Sequence, residues 1–122
     1  MSLEHEFINI PLYPGKLCLF LNIDSREELL KFFPDYPDWC LHAESNNYTW
    51  DDTVRFSIVF SPGKFDISGG DIAHECLHIV NYIWTHIGAD HDTRNDEPSC
   101  YLLGWVYDQV YKFLTNHKID IK

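Results

Sequence analysis

The segment from Asp71 to Ile87 restricts the possible folds more than any other stretch of the chain. Ile72, Ala73, Cys76, Leu77, Val80, Ile83, Trp84 and Ile87 follow the 3.6-residue period of an α-helix, which predicts a helix with this face turned to a core. Gly69-Gly70 introduces it, and Gly88 is placed to cap its C-terminus in the left-handed conformation. A second, polar stripe runs through His74, His78, Asn81 and Thr85, so both imidazoles stand on one side, one turn apart.

The remaining elements are shorter. Phe7-Ile8-Asn9-Ile10-Pro11-Leu12 alternates weakly, Tyr13-Pro14-Gly15 is a turn signal, and Lys16-Leu17-Cys18-Leu19-Phe20-Leu21 reads as a buried strand, which together predict a hairpin. Asp24 or Ser25 is suited to cap a short helix through Leu29, Leu30 and Phe33 that ends at Pro34, with Glu27 and Glu28 at the positive end of its dipole. Residues 34 to 52 read as loop, with one short strand at Trp39 to Ala43. Val54 to Phe60 alternates and then turns apolar, as a half-buried strand does, and Ser61-Pro62-Gly63 closes it. A second helix is predicted from about Asp96 to Thr115, with Leu102, Trp105, Val106, Val110 and Phe113 as its core positions and Gly104 letting the two helices approach closely. No internal repeat is visible. The expectation is one α+β domain over residues 1–122, a small, mostly antiparallel sheet packed on the helix of His74 and on the C-terminal helix.

Composition narrows the function. A chain of 122 residues with 45% apolar and 16% aromatic side chains can bury a real core. A net charge of -10, with nine scattered Lys and Arg, offers no basic stripe to neutralise phosphates, so nucleic acid is not an expected partner. The acidic start Met1-Ser2-Leu3-Glu4-His5-Glu6 does not resemble a signal peptide, its first three residues look like an expression-vector scar, and no apolar run is long enough for a bilayer. A cytoplasmic protein without membrane partners is the expectation. Cys18, Cys40, Cys76 and Cys100 form no CxxC pair and are expected to be buried free thiols. Cys76 points about 200° around the helix from His74, toward the core rather than toward a shared ion.

His74, Glu75 and His78 form an HExxH motif on this helix. Two neutral imidazoles on one face can converge on a zinc ion, and the glutamate after the first lies beside a metal-bound water, where it can take the water's proton. A downstream carboxylate, Glu97, begins the next predicted helix, and Asp90, His91, Asp92 and Asp96 compete with it as third ligand from the same loop. Pro98 biases Glu97 away from the helical region, toward the helix edge. Tyr101, one turn after Glu97, is placed to donate to an oxyanion or a ligand carboxylate, or to be a half-buried aromatic.

HExxH followed after eighteen residues by Glu resembles the ligand pattern of the gluzincin metallopeptidases, over roughly residues 54 to 105. The acidic stretch Asn95-Asp96-Glu97 is similar to that group's third-ligand region, and the HExxH and acidic-Tyr-Leu layout also resembles that of small bacteriophage proteins. The resemblance implies a minimal zincin-like fold, zinc held by His74, His78 and Glu97, Glu75 as general base, and the strand Val54 to Phe60 at a sheet edge along which an extended peptide substrate would pair. The implied activity is zinc-dependent, peptidase-like hydrolysis. Two alternatives belong to other classes: a zinc-binding structural or protein-interaction domain without catalysis, and an acidic accessory or inhibitor protein that uses its charge against a basic partner.

Overall fold

In the computed structural model, which describes residues 3–21, 26–33, 43–61 and 66–122, four strands form one mixed sheet in the order β1-β2-β4-β3. The expected first hairpin is present, but its first strand starts and ends three residues earlier than Phe7 to Leu12: β1 (Glu4–Asn9) pairs with β2 (Lys16–Leu21), antiparallel with Phe7 opposite Cys18, and Ile10 to Leu12 belong to the connection. Its connection depends on Gly15 at φ 100°, where a Cβ would stand 2.6 Å from Val54 Cγ1 and 2.8 Å from the Val54 carbonyl oxygen, so only glycine fits.

A second hairpin, β3 (Ala43–Trp50) with β4 (Thr53–Phe60), was not legible as such. Its two-residue connection places both Asp51 (φ 50°) and Asp52 (φ 61°) in the left-handed region, as a type I′ turn requires. β3 reads Ala-Glu-Ser-Asn-Asn-Tyr-Thr-Trp, too polar to signal a strand by its own propensity, and is ordered by pairing along the full length of β4. β4 also pairs in parallel with β2, Leu17 opposite Phe56 and Leu21 opposite Phe60. Val54 to Phe60 is therefore an inner strand and not the sheet edge expected from the resemblance; its unbroken burial from Phe56 to Phe60 is what an inner strand covered on both faces requires. The helix cap at Asp24 or Ser25, the stop at Pro34, Cys40, most of the strand expected at Trp39 to Ala43 and the Pro62-Gly63 turn lie outside the described residues.

The two faces of the sheet differ. On one, α1 (Arg26–Leu30) brings Leu29, with Phe33 after it, against Cys18, Phe20 and Val59. The Arg55 guanidinium lies over the Phe7 ring at 4.8 Å and the Trp50 ring at 5.5 Å, a cation–π arrangement on the same face. The other face carries the main core, where Leu17, Leu19, Phe56, Ile58 and Phe60 meet α2 (Gly69–Ile87) and α3 (Glu97–Asn116).

α2 starts at a reciprocal capping box. The Ser68 hydroxyl accepts from the Asp71 amide at 3.0 Å, and the Asp71 carboxylate accepts from the Ser68 amide at 2.9 Å. Gly88 ends the helix at φ 76°, as expected. Its buried face is Ile72, Glu75, Cys76, Ile79, Val80, Ile83 and Trp84, whereas Ala73, Leu77 and Ile87 are exposed. The helix is thus rotated toward the sheet relative to its apolar pattern, and the rotation takes Glu75 inward. α3 begins with Pro98 in its first turn, where the missing N–H costs nothing, and buries Leu102, Val106, Val110, Phe113 and Leu114. Gly104 does not serve helix approach: it is exposed, and a Cβ there would meet nothing within 4 Å. The C-terminal residues return to the start of α2, with the Lys122 amide donating to the Ile67 carbonyl at 2.9 Å. Among the described residues no helix is long and apolar enough to cross a membrane.

Candidate functional site

The polar stripe of α2 is where the spacing placed it, and His74 and His78 are both exposed. Their Nε2 atoms stand 3.2 Å apart, with the rings nearly perpendicular at a centroid separation of 4.9 Å. Two states of the pair give this geometry. Either one Nε2–H donates to the other nitrogen, or both lone pairs converge on a common point outside the helix.

Glu75 is not the exposed helix glutamate that its position alone suggests. It is 8% exposed, turned between α2 and β3, and its Oε1 accepts a 2.6 Å hydrogen bond from the Ser45 hydroxyl. That hydroxyl also lies 3.3 Å from the Glu75 carbonyl oxygen, so one β3 side chain fixes both ends of the residue. The second carboxylate oxygen, Oε2, stands 3.9 Å from His74 Nε2. A buried carboxylate is tolerated only with such partners.

Tyr82 completes the surroundings. Its ring stacks on His78 at 6.2 Å and 18°, and its hydroxyl donates to the Ser45 carbonyl oxygen at 3.4 Å. Burial, then the nearby Glu75 and Glu44 carboxylates, push the Tyr82 phenol above its ordinary pKa, so it remains a proton donor. Neither Ser45 nor Tyr82 was singled out from the sequence. Tyr82 follows His78 by one turn and could have been found by extending the stripe; Ser45 lies on a strand the sequence did not reveal.

Glu97 is not brought to this pair. The Trp84 indole N–H donates to the Ser99 hydroxyl at 2.9 Å, which fixes the start of α3 beside Trp84. His78 precedes Trp84 by six residues, about 9 Å along the helix and about 120° around it. Glu97 is exposed at the first position of α3, and Tyr101, 76% exposed, lies on the same end of the molecule. Two of the competing loop residues are engaged there: Asp92 Oδ1 accepts from the Arg94 amide at 2.9 Å, and His91 Nδ1 lies 2.9 Å from Ser99 Oγ. Because the Trp84 N–H already uses a lone pair of that oxygen, the Ser99 O–H is free to donate to His91.

Of the thiols, Cys18 and Cys76 are buried as expected, whereas Cys100 is exposed. Burial pushes Cys18 and Cys76 up to about 12, so neither supplies a thiolate near neutral pH.

Comparison with family models, curated proteins and solved structures returns no match. Among the described residues, moreover, no group of three or more His, Cys, Asp or Glu side chains is arranged to hold a metal ion. The resemblance to gluzincin metallopeptidases is overturned on that ground: the structure keeps the two histidines together and separates Glu97 from them. The likeness to bacteriophage proteins finds no support in the comparisons either.

Proposed function

We propose that His74 and His78 seat a zinc ion and that Glu75 uses a water there as a general base, in a peptidase-like hydrolysis of amide bonds. The observation that carries this reading is the 3.2 Å between the two Nε2 atoms beside a carboxylate held in place by Ser45. Ligand nitrogens about 2.0–2.1 Å from a tetrahedral zinc stand about 3.3–3.4 Å apart, so the separation of the pair matches two of the four ligand positions of such an ion. Zinc, when bound, lowers the pKa of a coordinated water toward neutrality and polarises a carbonyl.

The chain's own groups have separate tasks. The Ser45 hydroxyl occupies Oε1 of Glu75 and leaves Oε2, on the His74 side, to take a proton from water and pass it to a leaving amine. The Tyr82 ring lies nearly parallel to that of His78 and lines the same side of the helix. β3 is the terminal strand of the four, and its Ser45 touches Glu75, so an extended peptide lying along that edge would pass the carboxylate. A cytoplasmic setting goes with the reading, since the buried thiols Cys18 and Cys76 suit a reducing compartment.

The test is metal content and cleavage of an unfolded protein substrate, measured together. The parent is expected to take up one zinc per chain, and His74→Ala and His78→Ala to lose it. Glu75→Gln should keep zinc while losing about 100-fold or more in rate. A parent that takes up no zinc sinks the proposal. Stoichiometric zinc without cleavage points instead to a zinc-binding interaction domain.

A further inference from the structure

The opposite end of α2 carries a second feature that the histidine site does not use. Pro11, Leu12 and Tyr13 of the β1–β2 connection face Tyr101, Leu102 and Trp105 of α3 across an apolar groove of about 410 Å3. Its Tyr13 wall is anchored from behind: Tyr13 packs edge-on against Trp84 at 5.3 Å, and Trp84, Ser99 and His91 are linked by hydrogen bonds of 2.9 Å. Its rims are not buried by the fold. Leu12 is 98% exposed and Tyr101 76% exposed.

Leu12 gains nothing from folding where it stands. It is held at φ 68°, a left-handed conformation that costs a leucine about 1 kcal/mol, while its side chain projects into water. Leu12 and Tyr101 join the groove into one contiguous exposed apolar patch, the kind of surface that marks contact with another molecule.

The neighbouring cavity states what that molecule carries. Sharing Tyr13 and Pro98 with the groove, it measures about 280 Å3, and its wall includes the exposed carboxylates Asp90 and Asp92. Asp96 and Glu97, also exposed, flank the same loop. With a net charge of -10 behind it, this end attracts cations and repels phosphate chains. We propose that the groove binds a short extended peptide segment of another protein, in which a large apolar side chain fills the space between Leu12 and Tyr101 and an adjacent Lys or Arg enters the acidic cavity. The volume suits one or two large side chains, and the exposed Tyr101 with the half-buried Tyr13 and Trp105 supplies aromatic contact area of low conformational cost. This inference stands independently of zinc at His74 and His78.

The experiment is selection of a phage-displayed dodecapeptide library on the intact chain, followed by amide and indole NMR titration with a selected peptide. Selected sequences are expected to share an aromatic or large aliphatic residue beside Lys or Arg, with shifts centred on Tyr13, Tyr101 and Trp105. Leu12→Ser and Tyr101→Ser, both at exposed positions, should each weaken binding at least tenfold. The Asp90→Asn/Asp92→Asn pair should weaken it at least fivefold and flatten its salt dependence, and the carboxamide oxygen introduced in place of the Asp92 carboxylate can still accept from the Arg94 amide. Three results overturn the proposal: no peptide selected, shifts and selected sequences indifferent to Tyr101→Ser, or a concentration-dependent dimer abolished by Tyr101→Ser, which makes a second copy of the chain the occupant.

Discussion

Removing the Ser45 hydroxyl would leave Glu75 Oε1 without its 2.6 Å donor in a position only 8% exposed. The loss of a buried acceptor's partner costs about 1–3 kcal/mol, so Ser45→Ala should lower the urea midpoint accordingly. Combining it with Glu75→Ala should cost less than the sum of the two, because the carboxylate that needed the hydroxyl is gone; a double-mutant cycle measures the difference. A strictly additive cycle would show that Ser45 does not support Glu75. The histidine pair was legible from spacing alone, since two positions four apart on a helix must share a side. The burial of Glu75 was not. Ala73, Leu77 and Ile87 are apolar as Ile79 is, Leu77 and Ile87 to the same degree, and the pattern admits more than one rotation of the helix against the sheet; only contact with β3 selects the one that turns Glu75 inward.

Among the elements, α2 depends most on its first turn. Ser68 and Asp71 satisfy each other's amides, and Ser68→Ala should destabilise the fold by about 1 kcal/mol, read as a lower melting temperature. The effect should be matched by Asp71→Ala if the box acts reciprocally. Both long helices were legible because they combine a sustained 3.6-residue period with punctuation, Gly88 closing one and Pro98 opening the other, although α2 is capped at Ser68 and takes Gly69-Gly70 into its first turn. The sheet was legible only in part. β2 announces itself by an apolar run and β4 by alternation that turns apolar, but β3 is polar, and its turn is Asp-Asp rather than the Asn-Gly or Asp-Gly that signals a hairpin. Without β3 nothing corrected the edge position that the resemblance implied for Val54 to Phe60, and the site lost the strand that supplies Ser45. The separation of Glu97 from the histidines was equally hidden, since residue spacing does not fix where along α2 the returning helix docks; the Trp84–Ser99 bond does.

For the molecule as a whole, the buried thiols set an alkaline limit. Cys18 and Cys76 ionise near 9.0 in an unfolded chain and near 12 in the fold, so the unfolded state releases protons first. Their contribution is fully present below pH 9 and lost as pH rises toward 12, at about 1.4 kcal/mol per pH unit for each thiol. Tyr48, also raised to about 12 by burial, acts in the same direction from pH 10. Urea unfolding at a series of pH values should therefore show stability falling above pH 9, with Cys76→Ser removing part of the slope. An unchanged slope in that variant would exclude the thiol as its source. The mixed topology also orders events in time. β3 and β4 are joined by two residues and can zip within microseconds, whereas the parallel register of β2 on β4 must wait for a long loop to close. The hairpin is then the template on which the rest of the sheet assembles, and its tight reversal is a kinetic control point. Asp52→Gly, which releases the left-handed strain at that corner, should accelerate refolding while leaving the unfolding rate nearly unchanged in stopped-flow measurements.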